Sequence, residues 1–101
     1  MRGEKRMGKK RDRLEIIKDI LKVIREKSGK IKPTHILYKS NLSYQMMDEY
    51  LQELKSKEFI VEHTLKTKGK ESKTYSITDK GLKFLEKYRM IVDFTESFGL
   101  G

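Results

Sequence analysis

Apolar residues first fall into a helical rhythm over 12–27. Leu14, Ile17, Leu21 and Ile24 recur at steps of three and four, flanked by Ile16, Ile20 and Val23. That spacing predicts an amphipathic helix. Asp12 and Glu15 stand at its positive end, Arg25 and Lys27 at its negative end, which suits the macrodipole. Ser28-Gly29 is a stop signal, with Gly29 as the left-handed residue after the helix. Residues 29–32 form a connector, and Pro33 opens a second helix with Thr34 as cap or first-turn residue. That second helix covers about 34–39, and a third about 43–55, separated by Ser40-Asn41-Leu42. Ser43 is placed to cap the later one, its hydroxyl accepting an orphan backbone N–H. Met47, Leu51 and Leu54 fall on one face, with Ile36 and Leu42 as apolar partners. Tyr44, Gln45, Asp48, Glu49 and Gln52 then form the outward face.

The period next shortens to two. Residues 59–65, rich in β-branched and aromatic side chains, predict a strand. Thr74–Thr78 predicts another, with Tyr75 and Ile77 on one face. The eight residues between, 66–73, hold four lysines and one glycine and read as a basic turn. A last helix is predicted from Thr78 or Asp79, with Thr78 as cap, to Glu96 or Ser97, about 18–19 residues and roughly 28 Å long. Leu82 and Leu85 are expected in the core. Phe84, Tyr88, Ile91, Phe94 or Thr95, and Phe98 make a second apolar stripe that runs past it.

Two readings fit residues 34–55 alone, an αα-hairpin and a helix-turn-helix. The order of elements separates them. A helix, a helix-turn-helix and a hairpin with a lysine-rich tip make an α+β winged helix-turn-helix. A short strand is expected in the connector of such a fold. The organisation predicted is a flexible basic tail over 1–11, the winged domain over 12–78 and a C-terminal dimerisation helix over 79–98. The second stripe of that helix would be an exposed apolar patch in a monomer. A second copy would cover it in an antiparallel coiled coil. The competing expectation folds the helix back on the first helix of its own chain.

Charge adds a partner class. The chain of 101 residues carries 24 Lys+Arg against 15 Asp+Glu, a net +9, which attracts polyanions. Residues 1–13 hold seven basic and two acidic residues, more than half of that excess. Such a segment reads as an arm on phosphates or as a solubilising terminus. There is no cysteine, so disulfides, thiolate metal sites and thiol nucleophiles drop out. No apolar run approaches the roughly 18 residues of a transmembrane span, and no secretory signal is visible. The expectation is a cytoplasmic protein. Alanine is absent and asparagine occurs once, a usage resembling that of hyperthermophiles.

No catalytic constellation emerges. His35 and His63 sit on different elements without metal-ligand spacing, Lys68-Gly69-Lys70 lacks the residues of a phosphate loop, and Asp48, Glu49 and Glu53 read as solvated carboxylates. No cofactor, metal or small-molecule substrate is expected. Duplex DNA fits better. A recognition helix points its first residues at base edges, here Ser43, Tyr44, Gln45 and Glu49. Gln45 suits adenine, Tyr44 a phosphate or thymine methyl, and Glu49 cytosine N4. Lys39 before the turn, with Lys66, Lys68, Lys70 and Lys73 in the wing, would take phosphates. Asp48, Glu49 and Glu53 oppose this by charging the same helix negatively. They favour the alternative, a winged-helix protein-interaction module without DNA binding.

The run Lys-Pro-Thr-His-Ile-Leu-Tyr-Lys-Ser-Asn-Leu-Ser-Tyr (32–44), followed by Tyr50-Leu51 and Leu54, resembles small archaeal winged-helix DNA-binding proteins. Tyr75-Ser76-Ile77-Thr78-Asp79-Lys80-Gly81 with Phe84-Leu85 matches their passage from wing to last helix. The best-known relatives are the Sulfolobus ten-a type chromatin-associated proteins, and the likeness runs over about residues 12–97. It implies a homodimer joined by an antiparallel coiled coil of the last helices, the stripe Phe84, Tyr88, Ile91, Phe94, Thr95 and Phe98 forming the interface. It also implies binding to double-stranded DNA, as a transcription regulator or as an architectural, nucleoid-associated protein.

Overall fold

The computed structural model describes residues 12–27 and 31–100. The basic tail over 1–11 and the Gly29 stop signal lie outside them. The order is α1 (Arg13–Lys27), α2 (Pro33–Ser40), α3 (Tyr44–Ser56), β1 (Ile60–Thr67), β2 (Lys70–Ile77) and α4 (Asp79–Ser97). It is the α+β order of a winged helix-turn-helix.

Helix α1 is the centre of the core. Asp12 starts it by accepting the Glu15 amide at 2.8 Å. Ile16, Ile17, Ile20, Leu21 and Ile24 are buried. This is a stripe two residues wide, as expected of a helix covered by several neighbours. Leu14 departs from expectation: it is 53% exposed, because the covered stripe begins only at Ile16. Beyond the connector, Ile31 is fully buried and bridges to Tyr75. This is the short strand anticipated there.

Pro33 sits in the first turn of α2, where its missing N–H costs nothing. The residue in the cap position is Lys32, without a side-chain cap bond, so Thr34 is a first-turn residue. Asn41 ends α2 in the left-handed region, φ 56°, and its amide donates to Leu37 O. Asparagine tolerates that geometry better than most residues, so the helix stops sharply and α3 can begin three residues later. Ser43 caps α3 by accepting the Met46 amide at 3.2 Å. Met47, Leu51 and Leu54 are buried, as their spacing predicts. The end of α3 is closed by two bonds, Glu58 N to Lys55 O and Phe59 N to Leu54 O.

The hairpin is longer than the sequence suggests. Ile60 pairs with Ile77 and every residue between is in register out to Thr67 and Lys70. Only Lys68 and Gly69 turn, both with positive φ (50° and 78°). Such a two-residue turn matches the strand twist. The lysines expected in a loop over 66–73 therefore mostly stand on paired strands.

A knot of hydrogen bonds seats α4 on the base of the wing. Thr78 Oγ1 accepts the Gly81 amide at 3.1 Å and donates to Glu58 O at 2.7 Å. Thr78 N donates to Phe59 O, and Lys80 Nζ donates to Lys57 O at 2.8 Å. A Cβ on Gly81 would fall 2.5 Å from Phe59 O and 2.6 Å from Ile77 Cγ1. Leu85 reaches the core, but Leu82 is 41% exposed. With Gly81 pressed against the wing, Leu82 rotates outward. Phe84 is half-buried and packs edge-on against Phe59, ring centres 5.8 Å apart.

Candidate nucleic-acid interface

Each helix of the helix-turn-helix turns a polar face to water, although Ser40 at the end of α2 is buried. Tyr44, Gln45, Asp48, Glu49 and Gln52 are all exposed along one side of α3. Ser43 faces outward too, with its oxygen committed as the cap. Lys39 is exposed in the last turn of α2. Gln45 Nε2 donates to Glu49 Oε2 at 3.3 Å, so the two base-reading candidates form one unit along the helix. Tyr38 on α2 is also wide open; no spacing or motif singles it out.

The acidic residues of α3 do not behave alike. Glu53 is paired with Arg13 of α1 and with Lys57, the latter at 2.9 Å. Hydrogen bonds from Lys57 and then Arg13 hold its carboxyl below the usual range. Arg13 also lies over the Tyr50 ring, 5.8 Å from its centre. Its role was hidden among the tail charges, and only the end of α1 beside α3 reveals it. Asp48 and Glu49 remain on the outward face.

On the wing, Lys66, Lys68 and Lys70 are exposed at the tip. Lys66 stands opposite Glu71, and Lys70 opposite Thr67. Lys73 is different, lying 3.8 Å from Glu62. Glu62 also accepts from Lys55 Nζ at 3.2 Å and from Tyr75 OH at 3.0 Å. Burial pushes the Glu62 carboxyl up, but the hydrogen bonds from Tyr75 and Lys55 and the charges of Lys55 and Lys73 outweigh it, so the group sits low. The Tyr75 hydroxyl is driven well above its ordinary value, first by burial, then by the bond and charge of Glu62, with Asp48 and Tyr44 of α3 adding through space. Sequence reasoning missed Glu62. Its signal was present: strand alternation sets it on the face of buried Ile60, where a charge needs a partner.

His63 Nε2 lies 2.8 Å from Ser76 Oγ on the other face of the wing, and His35 is exposed on α2. Among the described residues no group of three or more His, Cys, Asp and Glu side chains is placed to hold a metal ion. Nor, among them, is any helix long and apolar enough to cross a membrane.

One side of α4, as far as Val92, leans on α1. Lys18, Lys22 and Arg25 of α1 face Leu85, Tyr88 and Val92 across a groove, with Lys18 Nζ 5.8 Å from the Tyr88 ring centre. The expectation of a fold-back thus holds for one side of the helix. The other side is open: Ile91, Phe94 and Phe98 are 63%, 62% and 67% exposed, while Thr95 is half-buried. The Phe94 and Phe98 rings pack on each other at 5.0 Å.

This arrangement defines a class, and comparison with known proteins agrees. The model of the family described as Winged helix-turn-helix matches residues 10–96, and the chain belongs to that family. It is 38% identical over 78 residues to uncharacterized protein MJ0290 of Methanocaldococcus jannaschii, a match covering 77% of this chain and 32% of that protein. The chain therefore spans about a third of that relative's length. Among solved structures it is similar to Sso10a-2, a DNA-binding protein from Sulfolobus solfataricus, with 24% identity, TM-score 0.68, and 87% and 85% of the two chains covered. It is also similar to a PadR family transcription regulator from Clostridium difficile, with 24% identity, TM-score 0.66, and 85% and 98% covered. These likenesses establish the fold.

Proposed function

We propose that this chain binds double-stranded DNA as a homodimer, in the role of transcription regulator or chromatin-associated architectural protein. The observation that carries the reading is the pairing of an outward polar helix, α3, with a wing whose tip exposes Lys66, Lys68 and Lys70. The helix enters the major groove with Tyr44, Gln45 and Glu49 toward base edges. Lys39 and the wing lysines take phosphates, which supply most of the affinity. Sso10a-2 is a DNA-binding protein and the PadR family member a transcription regulator, and both lend their function to this reading. A net +9 speeds encounter with DNA.

The dimer rests on the open seam of α4. Residues 79–89 hold four basic and two acidic side chains, and residues 90–97 hold two acidic and none basic. An antiparallel pair sets the +2 half of one helix against the −2 half of the other. Ile91, Phe94 and Phe98 are thereby covered, with Phe84, Tyr88 and Thr95 at the margins.

The test is charge reversal at the wing tip. Lys66→Glu, Lys68→Glu and Lys70→Glu together should abolish duplex binding at moderate salt while the helical circular dichroism is kept. Unchanged affinity removes the wing from the interface. A second reading, a protein-interaction module, is favoured by Asp48 and Glu49 on the outward face. It prevails if the parent protein ignores duplex DNA even at low salt and binds a defined protein through α3.

A further inference from the structure

A winged domain reads DNA with two parts, and their mutual angle has to be held. The hairpin meets the body of the domain at its base, through Ile60, Tyr75 and Ile77. Further out, every residue of β1 from His63 to Thr67 is exposed. Glu62 is thus the outermost anchored side chain of β1, its side chain only 17% exposed. A carboxylate in that place demands partners, and the partners come from different elements. Oε1 accepts from Lys55 in the last turn of α3 at 3.2 Å. Oε2 accepts from Tyr75 OH on β2 at 3.0 Å, with Lys73 at 3.8 Å. Tyr75 is itself buried, and its amide donates to Ile31 O at 3.1 Å.

We infer that Glu62 fixes the angle between the wing and helix α3, as a positioning residue for the DNA contact rather than a part of it. Its effect on DNA rests on the function proposed above; the angle itself does not. The leverage is large. Six residues separate Glu62 from Lys68, about 20 Å at the strand rise, so a 10° change at Glu62 carries the tip about 3.5 Å, more than a phosphate hydrogen bond tolerates. Glu62 also occupies Lys55 and Lys73. Lys73 therefore belongs to the tether, and the phosphate contacts of the wing fall to Lys66, Lys68 and Lys70.

Electrostatics and positioning predict opposite effects on DNA. Removing the Glu62 charge should strengthen binding if only net charge matters. It should uncouple the tip lysines if Glu62 holds the wing. The chain has no cysteine, so Gln52→Cys with Lys68→Cys gives one pair of spin-label sites, one on α3 and one on the tip. Electron–electron resonance, on labelled protein diluted with unlabelled protein, reads the distance between them without DNA. We expect a narrow distribution in the parent. It should broaden in Glu62→Gln and also in Lys55→Gln, which leaves the strands untouched. Thr64→Ala, next on the same strand face but exposed, should not change it. Melting curves confirm that each variant is folded. A distribution left unchanged by both Glu62→Gln and Lys55→Gln overturns the inference. On DNA, Lys68→Gln should weaken binding several-fold in the parent and less than twofold in Glu62→Gln. An equal loss in both backgrounds overturns the positioning role on DNA. A parent that binds no duplex overturns the proposed function instead, and the distance result still decides the angle.

Discussion

Gly81→Ala tests whether α4 is seated on the wing in the manner described. The added Cβ would meet Phe59 O at 2.5 Å and Ile77 Cγ1 at 2.6 Å. Phe59 O cannot simply recede, because it accepts from Thr78 N at 3.1 Å and lies 3.0 Å from Thr78 Oγ1. Overpacking of this kind costs about 1–3 kcal/mol, and the carbonyl puts it toward the upper end. Alanine recovers about 1 kcal/mol of helix propensity. A net loss of about 2 kcal/mol remains. For a domain of this size it should lower the melting temperature by about 8–16 °C. Circular dichroism melts at one fixed protein concentration are the assay, since any self-association would make the midpoint depend on concentration. Lys83→Ala, on the exposed side of α4, is the control and should stay within about 0.5 kcal/mol. A Gly81→Ala protein that melts at or above the parent refutes the packing of α4 against Phe59 and Ile77.

Three further outcomes are expected. Ser43→Ala removes the oxygen that accepts the Met46 amide and should cost about 1 kcal/mol, seen as a lower midpoint in urea; an unmoved midpoint would mean the cap carries no weight. Glu62 is held low in the folded chain, so its contribution is present above the unfolded value of about 4.3 and is lost as pH falls through the lower folded value. Acid unfolding should accordingly be less steep in Glu62→Gln, and identical slopes would contradict the network. Phe94→Glu places a charge in the middle of the α4 seam and should convert a dimer to a monomer in sedimentation equilibrium. A mass equal to the parent's would locate the interface elsewhere.

Local signals made much of this fold legible. Ser43 and Thr78 announce their caps through side-chain chemistry that acts within three residues. Met47, Leu51 and Leu54 announce a buried face by spacing alone. Stripe ends are harder. Leu14 and Leu82 keep the period of their helices but lie where, among the described residues, no neighbouring element covers them, which one helix's spacing does not reveal. Four lysines and a glycine over 66–73 predict a turn eight residues long. Lys68-Gly69 needs only two residues to reverse the chain, and pairing out to Thr67 and Lys70 overrides composition. The site was legible where it is exposed and local, as with the outward face of α3 and the lysines of the wing. Glu62 and Arg13 escaped because their partners come from other elements. Glu62 meets Lys55 and Tyr75, and Arg13 meets Glu53, 40 residues away.

The central claim is that duplex DNA is the partner of α3 and the wing. Fluorescence anisotropy of a labelled mixed-sequence duplex, titrated with the protein at several salt concentrations, decides it. Binding should be tight at low salt and fall linearly on a log–log scale, with a slope near −0.9 for each phosphate neutralised. The slope should become shallower by up to about three when Lys66, Lys68 and Lys70 are replaced by glutamine. Competition with unlabelled random DNA then separates a site-specific regulator from an architectural protein. No binding at low salt, or binding with the same slope in the lysine variant, would contradict the account.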